Sequence, residues 1–214
     1  MVMELLGPDL NTVFNESHLP FSVASTACVG ERMLTLIEYL HSKSFIHRDI
    51  KPDNFVTGIN NNKDSLYMID FGLSKYYRDP RSKTHVPYSD GKGFIGTARY
   101  ASSNAHMGIS QSRRDDIESF IYVLIYFLKK RLPWQGSKDC TKKENQCKIM
   151  HAKISTSVEL LCKGLPKVFV SLLHYVKSIN FEDKPNYDYI RAQLSKLVFP
   201  NFFSKKLIFE RLEV

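Results

Sequence analysis

His47-Arg48-Asp49-Ile50-Lys51-Pro52-Asp53-Asn54 is the stretch of sequence that decides the fold, and Asp70-Phe71-Gly72 begins sixteen residues after Asn54. Between them, residues 54–57 and 66–69 predict two short strands. The polar segment that joins these strands, with three consecutive asparagines, predicts a turn. A hairpin of this kind would bring both polar motifs to one edge of the protein. Charged and amide side chains gathered in this way indicate a site for chemistry.

The residue types in the two motifs suit the transfer of a phosphoryl group to a hydroxyl. We expect Asp49 to accept the proton of the attacking hydroxyl, and Lys51 to neutralise charge on the transferring phosphate. Asn54 and Asp70 would supply hard oxygen ligands of the kind that Mg²⁺ prefers. Gly72 lets the backbone turn sharply after Asp70. ATP and Mg²⁺ are therefore the expected cofactors.

The order H-R-D-I-x-x-x-N followed by D-F-G is the signature of protein kinases, with Ile50 where Leu is usual. Each part alone has a simpler interpretation. A single D-F-G is a common tripeptide, an Asp two residues from a Lys is more often a surface ion pair, and a single His47 is more often packed in a core. The two motifs together, at this spacing and at strand edges, favour the kinase interpretation.

Composition excludes several classes of protein. The chain has 214 residues, 43% of them hydrophobic, which is enough to bury a core without disulfides and excludes general disorder. The longest apolar run, residues 120–128, is too short to cross a bilayer as a helix. The first residues do not resemble a secretory signal, and the four cysteines form no C-x-x-C pair. We therefore expect an intracellular protein of the cytoplasm or nucleus.

Hydrophobic periodicity predicts a mostly helical chain around the hairpin. A helix is expected over residues 20–44 with Ser22 as its cap, and a strongly apolar, central helix over 115–129. Further helices are predicted over 141–154, 157–163, 166–178 and 186–197. Residues 75–95 carry prolines and glycines without periodicity and predict a long loop, which in a compact domain is usually functional.

Positive charge is clustered. The net charge is +8, and residues 73–100 carry six basic side chains against two acidic ones. Such clustering favours an anionic partner, either a nucleic acid, an acidic membrane, or an acidic or phosphorylated protein, and composition does not choose among these. A nucleic-acid-binding domain is the weaker alternative because no recognition motif of that class is present.

Beyond the kinase signature, the sequence resembles the casein kinase I family of serine/threonine protein kinases over residues 1–199. The stretches that carry this resemblance are Met1 to Pro8 as the hinge, Gly96 to Ser102 as the substrate loop, Ser112 to Ser119 as the start of the central helix, Leu132 to Gly136, Leu161 to Gly164 and Asp183 to Pro185. The resemblance implies a protein-kinase-like fold. Its mainly α large lobe would include a small β-hairpin that carries the catalytic and Mg-binding loops.

The resemblance also implies roles in nucleotide binding. The backbone of Glu4 and of Leu6 would bind adenine, with Met3 behind it as the gatekeeper. Asn54 and Asp70 would hold Mg²⁺ beside the phosphates.

Further implied roles concern the substrate and the catalytic loop. Thr97 would bridge Asp49 and Lys51. Arg99 and Lys92 would form an anion pocket for acidic or already phosphorylated protein substrates. The structural support of the site would come from His47, Arg48, Gly72 and Asp116, and Asp116 would fasten the catalytic-loop backbone from the central helix.

The sequence also departs from a complete kinase. No G-x-G-x-x-G precedes His47. We therefore expect the small lobe to be missing, impaired catalysis, and exposed apolar surface around Val2, Met3 and Leu5. Asn145 stands where the family commonly has a basic residue, and residues 200–214 are expected to be a divergent tail. A non-catalytic fragment that docks substrates or competes with an intact kinase is the alternative function.

Overall fold

The computed structural model describes residues 4–135 and 141–198, except for the side chains of Lys142 and Lys143. The expected gatekeeper Met3, the apolar residue Val2 and the expected tail over 200–214 lie outside the described residues. Leu5 is 76% exposed, and it lies in the segment expected to show apolar surface. No helix in the described ranges combines the length and apolar character that a membrane span requires.

The described residues form eight α-helices, four short strands and several 3₁₀ turns. In chain order these elements are α1 (Leu10–Glu16), α2 (Val23–Ser42), β1 (Phe45–Ile46), β2 (Phe55–Thr57), β3 (Leu66–Met68), β4 (Lys75–Tyr76), α3 (Ser103–His106), α4 (Arg113–Lys129), α5 (Lys142–Ser155), α6 (Val158–Leu161), α7 (Lys167–Ser178) and α8 (Tyr187–Ser195).

Helix α4 is the centre of the core. Fourteen of its seventeen residues are buried, as expected for a helix that is apolar on nearly every face. It packs against α2 on one side and α7 on another, while α8 closes over α2. The first turn of α4 is acidic and equally buried, so that the most apolar helix of the chain also carries carboxylates into the interior.

Helix α2 begins where the sequence predicts. Ser22 is its cap, and the Ser22 hydroxyl accepts a hydrogen bond from the backbone N–H of Ser25 at 3.0 Å. The apolar residues that recur every three or four positions face α4, among them Met33, Leu34 and Ile37, each fully buried. Helix α2 therefore delivers the chain directly into the motif that begins at His47.

The predicted hairpin is present. Strands β2 and β3 pair antiparallel, with Phe55 opposite Met68. The turn between them contains a 3₁₀ segment over Asn60–Asn62. A second antiparallel pair, β1 with β4, was not predicted, because strands of two residues carry no periodic signal. The predicted loop over 75–95 is therefore wrong at its first two residues, which belong to β4.

Helices α1 and α3 were also not predicted. Asp9 caps α1, and its carboxylate accepts hydrogen bonds from the backbone N–H of Asn11 and Thr12 at 2.9 and 3.0 Å. An acidic cap followed by apolar residues at Leu10, Val13 and Phe14 is a helix signal that the sequence did contain. Helix α3 has only four residues, which is too short for periodicity to show.

Candidate active site

The first turn of α4 holds the catalytic-loop backbone. Asp116 accepts a hydrogen bond from the N–H of His47 at 2.7 Å and from the N–H of Arg48 at 2.9 Å. Arg48 has a φ of 68°, a left-handed conformation that is uncommon outside glycine. The two hydrogen bonds therefore hold the loop in a conformation that the free chain would rarely adopt.

The Asp116 carboxylate is itself held in place from a third side. His41, at the end of α2, approaches it with Nε2 at 2.9 Å, and the other ring nitrogen of His41 lies 2.6 Å from the hydroxyl of Tyr187 on α8. Burial alone would raise the pKa of Asp116, but the hydrogen bond and charge of His41, together with the hydrogen bond from the backbone N–H of His47, hold the pKa below its ordinary value. Asp116 is therefore an ionised acceptor at the centre of the core.

Asp49 lies at the centre of the candidate catalytic group. The hydroxyl of Thr97 donates to Asp49 Oδ1 at 2.7 Å, and the Nζ of Lys51 lies 2.8 Å from Asp49 Oδ2. The resemblance implied that Thr97 would bridge Asp49 and Lys51. In the described structure the bridging group is Asp49, which contacts Thr97 with one oxygen and Lys51 with the other. A carboxylate held in this way has a fixed orientation toward an incoming hydroxyl.

His47 is a buried supporting residue. The N–H of Asp49 donates to His47 Nδ1 at 3.3 Å, which makes Nδ1 an acceptor, so that Nε2 carries the proton and donates to the carbonyl of Ile69 at 3.1 Å. Because Ile69 precedes Asp70, the His47 ring joins the two sequence motifs. It also lies 5.6 Å, centroid to centroid, from the ring of Phe71.

Asn54 and Asp70 are neighbours across the hairpin. The backbone N–H of Ile69 donates to the carbonyl of Asn54 at 3.0 Å, which brings the two loops side by side. The Asn54 amide nitrogen donates to the Asp49 carbonyl at 2.9 Å, so that the amide oxygen is the atom left for another partner. Asp70 is exposed, at a left-handed φ of 60°. One amide oxygen and one exposed carboxylate fit a Mg²⁺ ion that takes its remaining ligands from phosphates and water.

The expected adenine-binding segment runs beside the hairpin. The N–H of Gly7 donates to the carbonyl of Thr57 at 2.8 Å, and the N–H of Thr57 donates to the carbonyl of Pro8 at 2.9 Å. Within the described ranges, the backbone groups of Glu4 and Leu6 have no hydrogen-bond partner in the protein. Strand β2 runs from Phe55, next to Asn54, to Thr57, beside the expected adenine-binding segment, so that one nucleotide lying along β2 can place its phosphates near Asn54 and its base near Glu4 and Leu6.

The two residues assigned to one anion pocket lie in different surroundings. Arg99 is partly buried and stacks over the rings of Tyr100 and Tyr126, at 5.6 and 5.5 Å from their centroids. Lys92 is exposed and lines a cavity of about 550 Å³ to which Arg99 does not contribute. Arg99 is therefore not part of the cavity that Lys92 lines.

The cavity at Lys92 contains cations that the sequence did not assign to it. Arg48 and Lys75 line the cavity together with Lys92, and none of its lining residues is acidic. Lys75 was counted only as part of the local positive charge, and Arg48 only as structural support. Arg48 lies within the motif before the hairpin and Lys75 lies three residues after the motif that follows it, and this placement was the signal that could have grouped them.

A comparison with protein families agrees with this geometry. The model of the family described as "Protein kinase domain" matches residues 1–187, most of the chain. The matched range contains the expected adenine-binding segment, the hairpin with both motifs, Thr97, and the Asp116 carboxylate that holds the backbone of His47 and Arg48. The chain belongs to the protein kinase domain family.

Proposed function

We propose that this protein is a serine/threonine kinase of the casein kinase I type, which transfers the γ-phosphate of ATP to Ser or Thr in acidic or phosphorylated proteins. Residues 1–199 would form the hinge and large lobe of its kinase domain, with 200–214 as a divergent tail. The observation that carries the proposal is the Asp49 carboxylate, fixed by Thr97 on one oxygen and by Lys51 on the other.

The mechanism follows from these positions. Asp49 accepts the proton of the substrate hydroxyl. As the proton leaves, the hydroxyl oxygen forms a bond to the γ-phosphorus, and the bond from that phosphorus to ADP breaks. Lys51, paired with Asp49 in the free protein, is close enough to neutralise charge on the phosphoryl oxygens. Mg²⁺, when bound by Asn54 and Asp70, supplies further neutralisation of the phosphates. Proton transfer and charge neutralisation thus come from one short segment of chain.

The preference for acidic segments is supported by charge near the site. The cavity lined by Arg48, Lys75 and Lys92 carries three cations beside the catalytic loop, and its lining includes no acidic side chain. An acidic or phosphorylated stretch of substrate would neutralise them. Arg99, within the loop that resembles the family's substrate loop, adds a fourth positive charge. We also propose that the protein acts inside the cell, in the cytoplasm or nucleus, because its phosphate donor would be ATP.

The test measures phosphate transfer from radiolabelled ATP with Mg²⁺ to three matched peptides. The first is acidic with one Ser, the second has Tyr in place of Ser, and the third has Gln in place of each acidic residue. The protein is assayed as it occurs in the cell, including any sequence that precedes Met1. We expect transfer to the first peptide and much less to the other two.

Two substitutions assign the chemistry. Asp49→Asn should lower kcat at least about 100-fold, the usual contribution of a general base. Asp64→Asn, at an exposed position in the turn between β2 and β3, is the matched control and should leave kcat unchanged. Transfer that survives Asp49→Asn would remove Asp49 from its role. Peptide binding without any transfer would favour the non-catalytic docking function instead.

A further inference from the structure

Residues 97–101 form a turn whose carbonyl groups accept hydrogen bonds from side chains in other parts of the chain. Within the turn, the carbonyl of Thr97 accepts hydrogen bonds from the N–H groups of Tyr100 and Ala101, both at 2.9 Å. The next carbonyls point away from the turn and need other donors. The carbonyls of Ala98, Arg99 and Ala101 all find these donors on two side chains that are distant in sequence.

The two side chains are those of Lys153 on α5 and Trp134. Lys153 Nζ donates to the carbonyl of Ala98 at 2.9 Å and to that of Ala101. Trp134 Nε1 donates to the carbonyl of Arg99 at 2.7 Å. These two side chains therefore satisfy three of the carbonyls in the five-residue turn.

Lys153 occupies a site built for an ammonium group. Its side chain is 1% exposed, although lysine is among the residues that proteins bury least. Besides the two carbonyls, the rings of Tyr122 and Trp134 lie near Nζ, each centroid 5.2 Å away. Carbonyl oxygens and aromatic faces together can hold a cation in an otherwise apolar interior.

We propose that Lys153 is the positioning residue of the substrate loop, fixing residues 97–101 so that the Thr97 hydroxyl stays on Asp49 and Arg99 keeps its place over the rings of Tyr100 and Tyr126. This inference rests on the proposed function and deepens it. The link to the reacting groups is short, because Thr97 is one residue from the Ala98 carbonyl and its hydroxyl bonds directly to Asp49. Lys153 does not touch substrate, so its effect on the reaction passes through the loop.

The same burial makes Lys153 titratable near neutral pH. Desolvation lowers its pKa to about 7, and the charge of Glu118 on α4 opposes that shift. His106 on α3, which also donates to the Ala98 carbonyl, has a pKa lowered to about 4 by burial and by the charge of Lys153. The buried Tyr122 hydroxyl donates to Glu118 and has a pKa raised well above its ordinary value.

The first test needs no enzymatic activity. Trp134 is the single tryptophan of the chain, so intrinsic fluorescence reports on the surroundings of Lys153. The emission of the unmodified protein should change with a midpoint near pH 7, and the change should be lost in Lys153→Met. His151→Gln, which removes the exposed imidazole on the same helix, is the control and should keep the transition. Emission of folded Lys153→Met, or of Lys153→Gln if the first variant does not fold, that matches the unmodified protein at every pH would overturn the proposal, because Lys153 would then not contact Trp134.

The second test separates positioning from a structural role. Lys153→Met should raise the KM for the acidic Ser peptide about tenfold, as expected for loss of hydrogen bonds from a charged donor, and leave the KM for ATP unchanged. A purely structural loss would reduce the active fraction and leave both KM values as they were, which would refute positioning. Lys177→Met, at an exposed position on α7, is the matched control. A protein that transfers no phosphate would refute the proposed function, while the fluorescence test would still decide the role of Lys153.

Discussion

The Nε2 atom of His41 lies 2.9 Å from Oδ2 of Asp116, and each side chain is only 2% exposed. His41 ends α2 and Asp116 begins α4, the two longest helices of the described structure. Asp116 also accepts hydrogen bonds from the N–H groups of His47 and Arg48. The contact between His41 and Asp116 therefore links the packing of the core to the backbone at His47 and Arg48. The position of Asp49 therefore depends on how α2 and α4 meet.

Asp116→Asn should uncouple the loop from the core. An amide keeps one acceptor oxygen, but its NH₂ group would face a backbone N–H or the His41 ring, leaving buried donors unsatisfied. We expect the free energy of unfolding to fall by about 3 kcal/mol, with a loss of kcat in the remaining folded protein. Urea unfolding and peptide phosphorylation measure the two effects.

Asp188→Asn is the control for that substitution. The Asp188 side chain is 95% exposed and pairs with the nearby Arg191, so its loss should change stability by less than about 0.5 kcal/mol. If Asp116→Asn is no more destabilising than Asp188→Asn, the hydrogen bonds at Asp116 do not hold the loop.

Asp115, next to Asp116, should make stability depend on pH in the opposite direction from an ordinary ion-paired carboxylate. Burial raises the pKa of Asp115 from 3.8 to about 6, although hydrogen bonds from Ser102 and Ser112 oppose the shift. Between these values the native state binds more protons than the unfolded chain does. The contribution of Asp115 to the free energy of unfolding therefore falls as pH rises from about 4 to about 6.

Two variants measure this contribution. Asp115→Asn imitates the neutral carboxyl and does not titrate. As pH rises from about 4 to about 6, the free energy of unfolding of this variant should therefore increase by about 3 kcal/mol relative to that of the unmodified protein. Ser102→Ala removes a hydrogen bond that favours the charged form and should extend the fall in stability to higher pH. Urea unfolding at half-unit pH intervals gives both curves. A constant difference between Asp115→Asn and the unmodified protein would contradict the predicted proton binding.

Much of the fold could be predicted because its signals are local. The cap at Ser22, the apolar repeat of α2 and the continuous apolar face of α4 each occupy adjacent positions in the chain. The hairpin was also predictable, since two short apolar runs surround an asparagine-rich turn. What these elements share is that neighbouring residues determine them.

The parts that could not be predicted are set by contacts between distant residues. Nothing near Lys153 in sequence shows that its ammonium group meets the carbonyls of Ala98 and Ala101. The separation of Arg99 from Lys92 likewise depends on Arg99 turning inward to stack on Tyr126, a residue of another helix. The resemblance implied one anion pocket for the two cations Arg99 and Lys92. Which cations share a cavity is decided by how their side chains pack.

Gly96 should tolerate an added Cβ less well than Gly91, which lies five residues before it. Its φ is +112°, and an added Cβ would lie 2.6 Å from the backbone carbonyl oxygen of Arg48. Backbone cannot yield as a flexible side chain can, so Gly96→Ala must move one of the two loops. Because Thr97 follows directly and bonds to Asp49, the movement should separate the hydroxyl from the carboxylate.

Gly91 provides a matched comparison close by in the sequence. It also has a positive φ, +65°, but an added Cβ there would meet nothing within 4 Å. Gly91→Ala should therefore cost only the left-handed strain, about 1 kcal/mol, and leave kcat unchanged. Gly96→Ala should cost about 2 kcal/mol more and lower kcat at least about tenfold, measured by urea unfolding and peptide phosphorylation. Equal effects of the two substitutions would mean that strain alone, and not the approach of Gly96 to Arg48, governs this loop.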